Sequence, residues 1–491
     1  MSGGIGLAGV VSGRETARGA AFMLAADALV LPTGVLTLAY LTRRLGPDGY
    51  GAFALAVAVV VTVEFGITAL VSRATVYFVS AEGDPAPVAA AASRLRLGLS
   101  LAAAAALWLF APAIAGHLGE PSLAWILRLF AIDVPLYGWA RSRRDILVGR
   151  ARFVQAAAGS VGRWVSRLLL IVVLVEAGLG VRGAVLGSIG ASLVEAAIDR
   201  TGFTLRTGRG FSVGRILAFG LPLFITTMAL LVLNRLDLFL LKLLGTSTAN
   251  AGAYAAAQNA ALTLGIVGAA LAPVVLANLS RARTEGDSAA AELTVRNGLR
   301  AGLLLLPWVA LLSASAGEVA PLLFGPGFAA ATAVLALLVF EGWAMVVHAL
   351  SAVMLAAAGR SRSLLILSLP QPVLAGVGLG LAIPRWGMIG AAAVTVMVSI
   401  IGALAVACAA TRAWHARPPL ASAVRGLAVA GVIAVVAALW STPGPAVLLK
   451  LVVLGVAAPF LLVLTGAVSL GELRAAIASL LAIPNGEDER E

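Results

Sequence analysis

The sequence predicts an all-α, polytopic membrane protein of about fourteen transmembrane helices, and three observations support this fold class. Hydrophobic residues make up 60% of the 491 positions and charged residues only 12%, about half the charged fraction of a soluble domain. The mean hydropathy is +1.01. The apolar runs are about twenty residues long and do not alternate with polar residues, which indicates helices rather than the strands of a membrane barrel.

The apolar runs define fourteen predicted spans, each long enough to cross the hydrocarbon core. The first run is too long for the core of a signal peptide and has no clear cleavage site, so we expect an uncleaved first helix after a short N-terminal arm. The spans are 21–41, 51–71, 95–115, 123–140, 154–176, 182–199, 215–240, 251–276, 297–316, 328–356, 363–383, 387–410, 422–440 and 446–467.

Few residues are suited to metal or cofactor chemistry. Cys408 is the only cysteine, which excludes a disulfide framework and a thiolate metal cluster. The histidines, His117, His348 and His415, are scattered along the chain. We therefore expect no metal and no resident cofactor. A Gly-x-x-x-x-Gly-Lys-Ser/Thr loop is absent, so the sequence gives no sign that ATP drives the protein.

The positive charge is distributed unevenly over the predicted loops. With the N-terminus inside, 25 of the 35 Lys and Arg residues fall in inside segments and five in outside segments. Cytoplasmic loops carry this excess in membrane proteins. The pattern predicts that both termini are cytoplasmic, and it explains the net charge of +12 without a nucleic-acid partner.

The chain contains a weak internal repeat. Two halves of six spans each, residues 1–210 and 211–415, share pairs of residues at a nearly constant offset. These pairs are Gly46 with Gly245, Gly51 with Gly252, Asp133 with Glu341, Gly149 with Gly359 and Gly183 with Gly390, at offsets of 199, 201, 208, 210 and 207. Six is an even number, so the halves have the same orientation and form a parallel repeat.

The repeat predicts the domain organisation. We expect an N-terminal lobe (1–210), a C-terminal lobe (211–415), two appended helices (416–470) and a cytoplasmic tail (471–491). Two similar lobes that face each other enclose a cavity, and rocking of the lobes exposes that cavity to either side of the membrane in turn.

Several charged residues fall inside the predicted spans, where a charge costs a few kcal/mol and tends to face a cavity or a partner. Arginines suit a diphosphate because the guanidinium group matches phosphate oxygens. Arg163 and Arg167 share one helix face at i, i+4. We expect a cationic cavity formed by Arg163, Arg167, Arg235 and Arg128. The alternative is that these residues pair with acidic neighbours.

Six acidic residues in the spans are candidates either for coupling to H⁺ or Na⁺ or for charge pairs within the protein. Asp133 and Glu341 occupy equivalent places in the repeat, which also suits helix packing. Asp27 lies near a helix end, where capping is the alternative role. The six are Glu64, Asp133, Asp237, Glu341, Asp27 and Glu195.

Short motifs carry a resemblance to a known family. They are Arg44-Leu45-Gly46-Pro47-Asp48-Gly49-Tyr50-Gly51, Phe65-Gly66-Ile67 with Arg73, Gly220-Leu221-Pro222-Leu223, Leu233-Asn234-Arg235-Leu236-Asp237, Gly252-Ala253-Tyr254, Leu323-Phe324-Gly325-Pro326-Gly327-Phe328 and Gly359-Arg360. The chain resembles the bacterial polysaccharide (O-antigen type) flippases of the multidrug/oligosaccharidyl-lipid/polysaccharide exporter superfamily over about residues 20–415.

The resemblance implies a substrate, a compartment and partners. The substrate is an undecaprenyl-diphosphate-linked oligosaccharide, moved across the bacterial cytoplasmic membrane for polysaccharides such as the O-antigen of lipopolysaccharide. Coupling is to an ion gradient, and a polysaccharide polymerase and assembly proteins are partners. The resemblance also makes Arg235, Asp237 and Arg73 candidate site residues.

Three other functions remain open from the sequence. A cation-coupled multidrug exporter and a lipid II flippase belong to the same superfamily. The exporter predicts an acidic or aromatic cavity, whereas a basic cavity favours an anionic substrate. A membrane-bound glycosyltransferase or polymerase would need a large loop with catalytic acids, and no loop is long enough for such a domain.

Overall fold

A computed structural model of the chain describes residues 19, 22–23, 25–200, 210–442, 444–472 and 474. This part of the chain contains helices and no strand, which confirms the all-α class. The predicted N-terminal arm, apart from residue 19, and all but three residues of the predicted tail lie outside the described residues.

Seventeen α-helices follow one another along the described ranges. They are α1 (Val30–Ala81), α2 (Pro85–His117), α3 (Ser122–Phe130), α4 (Asp133–Gly149), α5 (Phe153–Leu174), α6 (Gly180–Ile198), α7 (Val213–Leu243), α8 (Thr248–Leu262), α9 (Gly265–Glu285), α10 (Ser288–Leu304), α11 (Leu306–Ala314), α12 (Ala316–Phe324), α13 (Ala331–Ala357), α14 (Ser361–Ser368), α15 (Pro370–Ala413), α16 (Leu420–Leu439) and α17 (Ala446–Leu464).

The helices account for all fourteen predicted spans. Nine helical segments of the described chain are long and apolar enough to cross a membrane. Three of these segments, Ala25–Ala81, Phe153–Ile198 and Ser361–Ala413, each contain two predicted spans. The seventh predicted span lies in α7, and the eighth lies across α8 and α9. The predicted multi-pass architecture is therefore confirmed.

Tight glycine turns explain why pairs of spans run together as one helical segment. Gly46 interrupts α1 with φ 68°, just before Pro47, and Gly387 interrupts α15 with φ 54°. Between α5 and α6 the π-helical turn Val175–Leu179 contains Gly178 at φ 87°. Glycine takes these left-handed conformations without the clash that a Cβ atom causes. Gly46 and Gly178 lie between two predicted spans, and Gly387 is the first residue of the span predicted at 387–410.

One predicted boundary is wrong. The span predicted at 123–140 is two helices: α3 ends at Phe130, and α4 begins at Asp133 and continues to Gly149. The arginines at 141, 143 and 144 therefore lie in a helix rather than in a loop. The run Ala140-Arg141-Ser142-Arg143-Arg144 is too polar to be detected as a span, yet Ala140 and Ser142 in it are buried.

The chain separates into two compact units. Unit 1 comprises the residues up to Ala256 together with Leu379–Gly387, and unit 2 comprises Ala257–Gly378 and the residues from Met388 onward. The domain boundaries inferred from the repeat remain a prediction. They were drawn from sequence similarity between two halves of the chain, whereas the two units are defined by which residues contact each other.

Two glycines that the repeat pairs, Gly51 and Gly252, pack against each other within unit 1. A Cβ atom on Gly51 would lie 2.2 Å from the carbonyl oxygen of Thr248, and one on Gly252 would lie 2.2 Å from that of Pro47. The start of α8 therefore approaches α1 backbone to backbone, as small residues allow in membrane helices.

Candidate functional site

Six charged side chains from four helices form a buried cluster in unit 1, which we call the charge cluster. Its acidic members lie on α1, α4 and α6 and are 0–7% exposed. Its arginines lie on α4 and α5. The members are Glu64, Asp133, Arg141, Arg163, Arg167 and Glu195.

Arg163 is held by several neighbours. Its Nη1 donates to Ser192 Oγ at 2.9 Å and lies 3.2 Å from Glu195 Oε2, and its guanidinium carbon lies 4.6 Å from the centre of the Tyr137 ring. Glu195 has no exposed surface. This is the interhelical charge pair that the sequence left open as the alternative role of Arg163.

Tyr137 and Arg141 complete this arrangement, and neither was predicted from the sequence. Arg141 Nε donates to the Tyr137 hydroxyl at 2.9 Å, and Arg141 Nη1 lies 3.9 Å from Glu195. The spacing of Asp133, Tyr137 and Arg141 at intervals of four places all three on one face of α4. That spacing was visible in the sequence, but the predicted loop began at residue 141.

Arg167, one turn after Arg163, has the least constrained guanidinium group of the cluster. It is half-buried and has electrostatic interactions with Arg163, Asp133 and Glu64. Its Nε atom is buried and has no hydrogen-bond partner among the described residues. The Nε of Arg167 thus lacks a hydrogen-bond acceptor in this conformation.

The two carboxylates nearest Arg167 also keep unused acceptor atoms. Glu64 Oε1 and Asp133 Oδ1 are buried without a hydrogen-bond partner in the described part of the chain. A buried ionised carboxylate is costly unless it is paired, so protonation or a bound cation stabilises such a group. Three arginines and three carboxylates give the cluster no formal net charge, so the expected basic surplus is not found in the cluster itself.

Asp237 lies elsewhere in unit 1 and holds helices together. Its Oδ2 accepts a hydrogen bond from the Tyr254 hydroxyl at 2.6 Å, and its Oδ1 accepts one from the Leu238 amide at 2.8 Å. These contacts tie the end of α7 to α8 and account for two of the family-like motifs. Arg235, two residues before Asp237, is half-buried.

The remaining predicted residues are not part of the charge cluster. Arg128 is exposed and lies over the Trp108 ring at 4.8 Å, and Arg73 is also exposed. Asp27 pairs with Arg144 at 2.8 Å. Glu341 is buried in α13 of unit 2.

A second polar network missed by the sequence analysis joins the α2–α3 connection to the α7–α8 turn. The Thr248 hydroxyl donates to the Glu120 carboxylate and accepts from Lys242 Nζ at 2.8 Å. Ser122 donates to Glu120 at 2.6 Å. Burial alone would raise the pKa of Glu120, but the hydrogen bonds from Ser122 and Thr248, with the charge of Lys242, hold it below its ordinary value. We call this set the Glu120 network.

The described chain contains no group of three or more potential metal ligands. Long apolar helices with charged side chains buried among them are typical of a multi-pass membrane protein, and solved structures of membrane transporters share the fold.

The lipid II flippase MurJ, in an inward closed conformation, is 13% identical, with 93% of this chain and 98% of that chain covered and a TM-score of 0.67. An inward-facing multidrug resistance MATE family transporter of the MOP superfamily is 16% identical, with 79% and 94% covered and a TM-score of 0.62. The Vibrio cholerae MATE transporter VcmN, in its bent form, is 16% identical, with 82% and 98% covered and a TM-score of 0.51. At these identities the likeness concerns the fold.

The chain belongs to the polysaccharide biosynthesis protein family, whose model matches residues 40–333. No curated protein matches the sequence. The family resemblance noted in the sequence is confirmed, and the chain shares its fold with solved transporters and flippases of the MOP superfamily.

Proposed function

We propose that the protein translocates an undecaprenyl-diphosphate-linked oligosaccharide across the bacterial cytoplasmic membrane by alternating access. The product serves surface polysaccharide synthesis, such as that of the O-antigen of lipopolysaccharide, in cooperation with a polymerase and assembly proteins. Both termini are cytoplasmic in this proposal, because 25 of the 35 basic residues then fall in inside segments. The family match supports a role in polysaccharide biosynthesis.

The observation that carries the proposal is the guanidinium group of Arg167 within the charge cluster, because its Nε has no hydrogen-bond partner among the described residues. A buried arginine in a membrane protein is costly to keep, and its fork of N–H donors matches the oxygens of a phosphate group. Glu195 and Tyr137 already engage Arg163. Arg167 is therefore the residue that we assign to the diphosphate.

The same cluster suggests how the substrate is coupled to a cation gradient. With Glu64 and Asp133 ionised the cluster is formally neutral. With both protonated, three arginines and the single charge of Glu195 leave a formal charge of +2, which attracts a diphosphate. We therefore propose that cation binding at Glu64 and Asp133 and diphosphate binding at Arg167 favour each other. H⁺ and Na⁺ both fit this scheme.

The test is complementation of a strain that lacks the gene with the wild type, Arg167→Gln or Arg128→Gln. Arg128 is the matched control because it is an arginine in a membrane helix that lies outside the charge cluster, over Trp108. We expect Arg167→Gln to lower surface polysaccharide about tenfold or more through the loss of charge-assisted hydrogen bonds. Undecaprenyl-linked intermediates should accumulate while the amount of protein in the membrane is unchanged. Arg128→Gln should complement fully.

Other outcomes point to the alternatives within the superfamily. If deletion leaves polysaccharide unchanged and only increases sensitivity to cationic drugs, the protein is a multidrug exporter. If deletion blocks growth and lipid II accumulates, it is a lipid II flippase. If the strain loses polysaccharide and Arg167→Gln restores it, the transport function stands and the assignment of Arg167 is wrong.

A further inference from the structure

The last turns of α15 combine an exposed apolar stripe with a basic end. Met397, Ile401 and Leu404 are 49–57% exposed, and Cys408 follows one turn later on the same face. Residues spaced by three and four form one helix face. After Cys408 the chain leaves the apolar segment through Arg412 and His415. An apolar surface on the helix is therefore followed by the side chains of Arg412 and His415.

An apolar groove lies beside this stripe. It has a volume of about 270 Å³ and separates the two arms of the Ser361–Ala413 segment within unit 2, from Leu367 to Ala405. Gln371 is its only polar lining residue, and the Gln371 Nε2 donates to the carbonyl of Leu367 at 3.1 Å. The lining of the groove is therefore almost entirely apolar.

A basic cavity opens one turn beyond the groove. Its volume is about 530 Å³, and it is lined by Cys408, Thr411, Arg412, His415, Ala416 and Pro418, with no carboxylate. Arg412 is exposed, and no acidic side chain of the described chain lies within salt-bridge distance of it. The charged lining donates hydrogen bonds, so the cavity suits an anion.

His415 occupies this cavity in a conformation that favours glycine. Its φ is 51°, and the Ala416 amide donates to the carbonyl of Thr411 at 2.9 Å, as in a helix-ending turn where glycine usually stands. The corresponding positions at Gly286, Gly359 and Gly466 are glycines, and Ala151, with φ 58°, is another exception. Unlike Ala151, His415 combines this strained backbone with a polar side chain that lines a cavity, which suggests a role for that side chain.

The loop that carries His415 is fixed by its neighbours. The Trp414 indole nitrogen donates to the carbonyl of Met354 at 2.8 Å, and Ala416 is buried in the core formed by α9, α10, α13 and α15. The cavity is therefore preorganised, which lowers the entropic cost of binding.

We propose that this surface binds an anionic phospholipid, with an acyl chain in the apolar groove and the phosphate at Arg412 and His415. In the orientation proposed above, the binding site faces the inner leaflet. Basic pockets at the cytoplasmic ends of membrane helices bind anionic headgroups in this way. Phospholipids are the abundant molecules at this depth that have both hydrocarbon chains and a phosphate, and a lining with Arg412 and no carboxylate favours an anionic headgroup.

The test uses the purified full-length protein, delipidated in detergent, with measured thermal unfolding and native mass spectrometry. Phosphatidylglycerol, phosphatidylcholine, undecaprenyl phosphate and inorganic phosphate are added separately. We expect only phosphatidylglycerol to raise the unfolding midpoint of the wild type. Arg412→Gln should weaken its binding roughly tenfold through the loss of a charge-assisted bond. Arg385→Gln, at an exposed arginine of the Ser361–Ala413 segment, is the matched control and should respond as the wild type does.

His415→Gly separates binding from stability. Glycine relieves the left-handed strain, so the lipid-free variant should unfold at a higher temperature than the wild type. The loss of the imidazole should at the same time reduce the shift caused by phosphatidylglycerol. Equal shifts in the wild type, Arg412→Gln and His415→Gly would overturn the proposal. So would a response to inorganic phosphate alone, or to undecaprenyl phosphate in place of phosphatidylglycerol, the latter indicating an entry site for substrate.

Discussion

Arg163 and Arg167 are one helical turn apart and have the same side chain, but their surroundings differ. Arg163 contacts Ser192, Glu195 and the Tyr137 ring, whereas the Nε of Arg167 has no hydrogen-bond partner in the described part of the chain. Sequence spacing alone treats the two as equivalent. The structure separates a residue that joins two helices through hydrogen bonds from a residue whose Nε makes none.

This difference leads to a stability prediction. Arg163→Ala should lower the free energy of unfolding by about 3–5 kcal/mol, because it leaves the fully buried Glu195 carboxylate with only the more distant Arg141. Arg167→Ala should cost less than half as much. Unfolding by denaturant in mixed micelles measures both. Equal losses for the two variants would show that Arg167 is also a structural partner.

Charged residues also fasten the last two membrane helices to the rest of unit 2. At one end of α17, Lys450 Nζ donates to Glu318 at 2.6 Å, and Thr442 donates to the same carboxylate. At the other end, Arg300 pairs with Glu472 at 2.7 Å. The Trp308 indole donates to the carbonyl of Gly455 between them at 3.2 Å. The helices α16 and α17 are therefore integral to unit 2.

The contacts of Glu318 with Lys450 and Thr442 predict how the stability of the protein depends on pH. Burial alone would raise the pKa of Glu318, but the hydrogen bonds from Lys450 and Thr442 outweigh it and lower the pKa below its ordinary value of 4.5. A carboxyl group whose pKa is lower in the folded state than in the unfolded state stabilises the fold when it is ionised. This contribution is complete above pH 4.5 and is lost as the pH falls toward the folded-state pKa. The wild type should thus lose thermal stability below about pH 4.5 through this group.

Glu318→Gln is the matching variant. At pH 7 it should lower the free energy of unfolding by about 3 kcal/mol, since Lys450 is 1% exposed and is left without a carboxylate. The difference between variant and wild type should shrink as the pH falls below 4.5. Thermal unfolding at pH 7 and pH 4 measures this, and a difference that does not depend on pH would contradict the assignment.

Some arginines counted as evidence for orientation have a second role at helix ends. Arg143 donates to the carbonyl of Ala196, Arg283 to that of Ala357 and Arg425 to that of Gly466, at 2.5–2.6 Å. A cation at a helix C-terminus satisfies unpaired carbonyls and the helix dipole. A count of the charges in the loops indicates only on which side of the membrane each arginine lies. These capping hydrogen bonds were therefore not predictable from the sequence.

Across the whole molecule, hydrophobic run length was enough to locate the apolar membrane spans, because the bilayer thickness sets the length of a span. Hydrophobic run length did not predict that the helix continues from Arg141 to Arg144, because run length cannot recognise a helix whose charged side chains pair inside the protein. The site was predicted in part: Glu64, Asp133, Arg163, Arg167 and Glu195 do meet. Tyr137 and Arg141 were missed because the predicted loop began at residue 141, whereas the Glu120 network depends on contacts distant in sequence.

The Glu120 network provides a test of movement between the two halves of the repeat. Glu120 belongs to the first predicted half and Thr248 to the second, yet the two side chains are hydrogen-bonded within unit 1. If the two halves rock against each other, as proposed above, this contact is expected to open in each cycle. The variant carries Glu120→Cys and Thr248→Cys in a Cys408→Ser background. Joining the two cysteines with a short reducible thiol cross-linker should stop the appearance of new surface polysaccharide. Reduction of the linker should restore it.

The control pair is Arg44→Cys with Glu176→Cys. These residues form an exposed ion pair at 2.5 Å on the side predicted to be outside, and both belong to the first half of the repeat. Cross-linking them should leave polysaccharide export unchanged, because residues of one lobe move together. If export continues with Glu120 and Thr248 linked, the network is a static clamp, since no opening at this contact is then needed for transport. If both linked pairs stop export, the lobes themselves deform during the cycle, and rigid rocking is the wrong description of the movement.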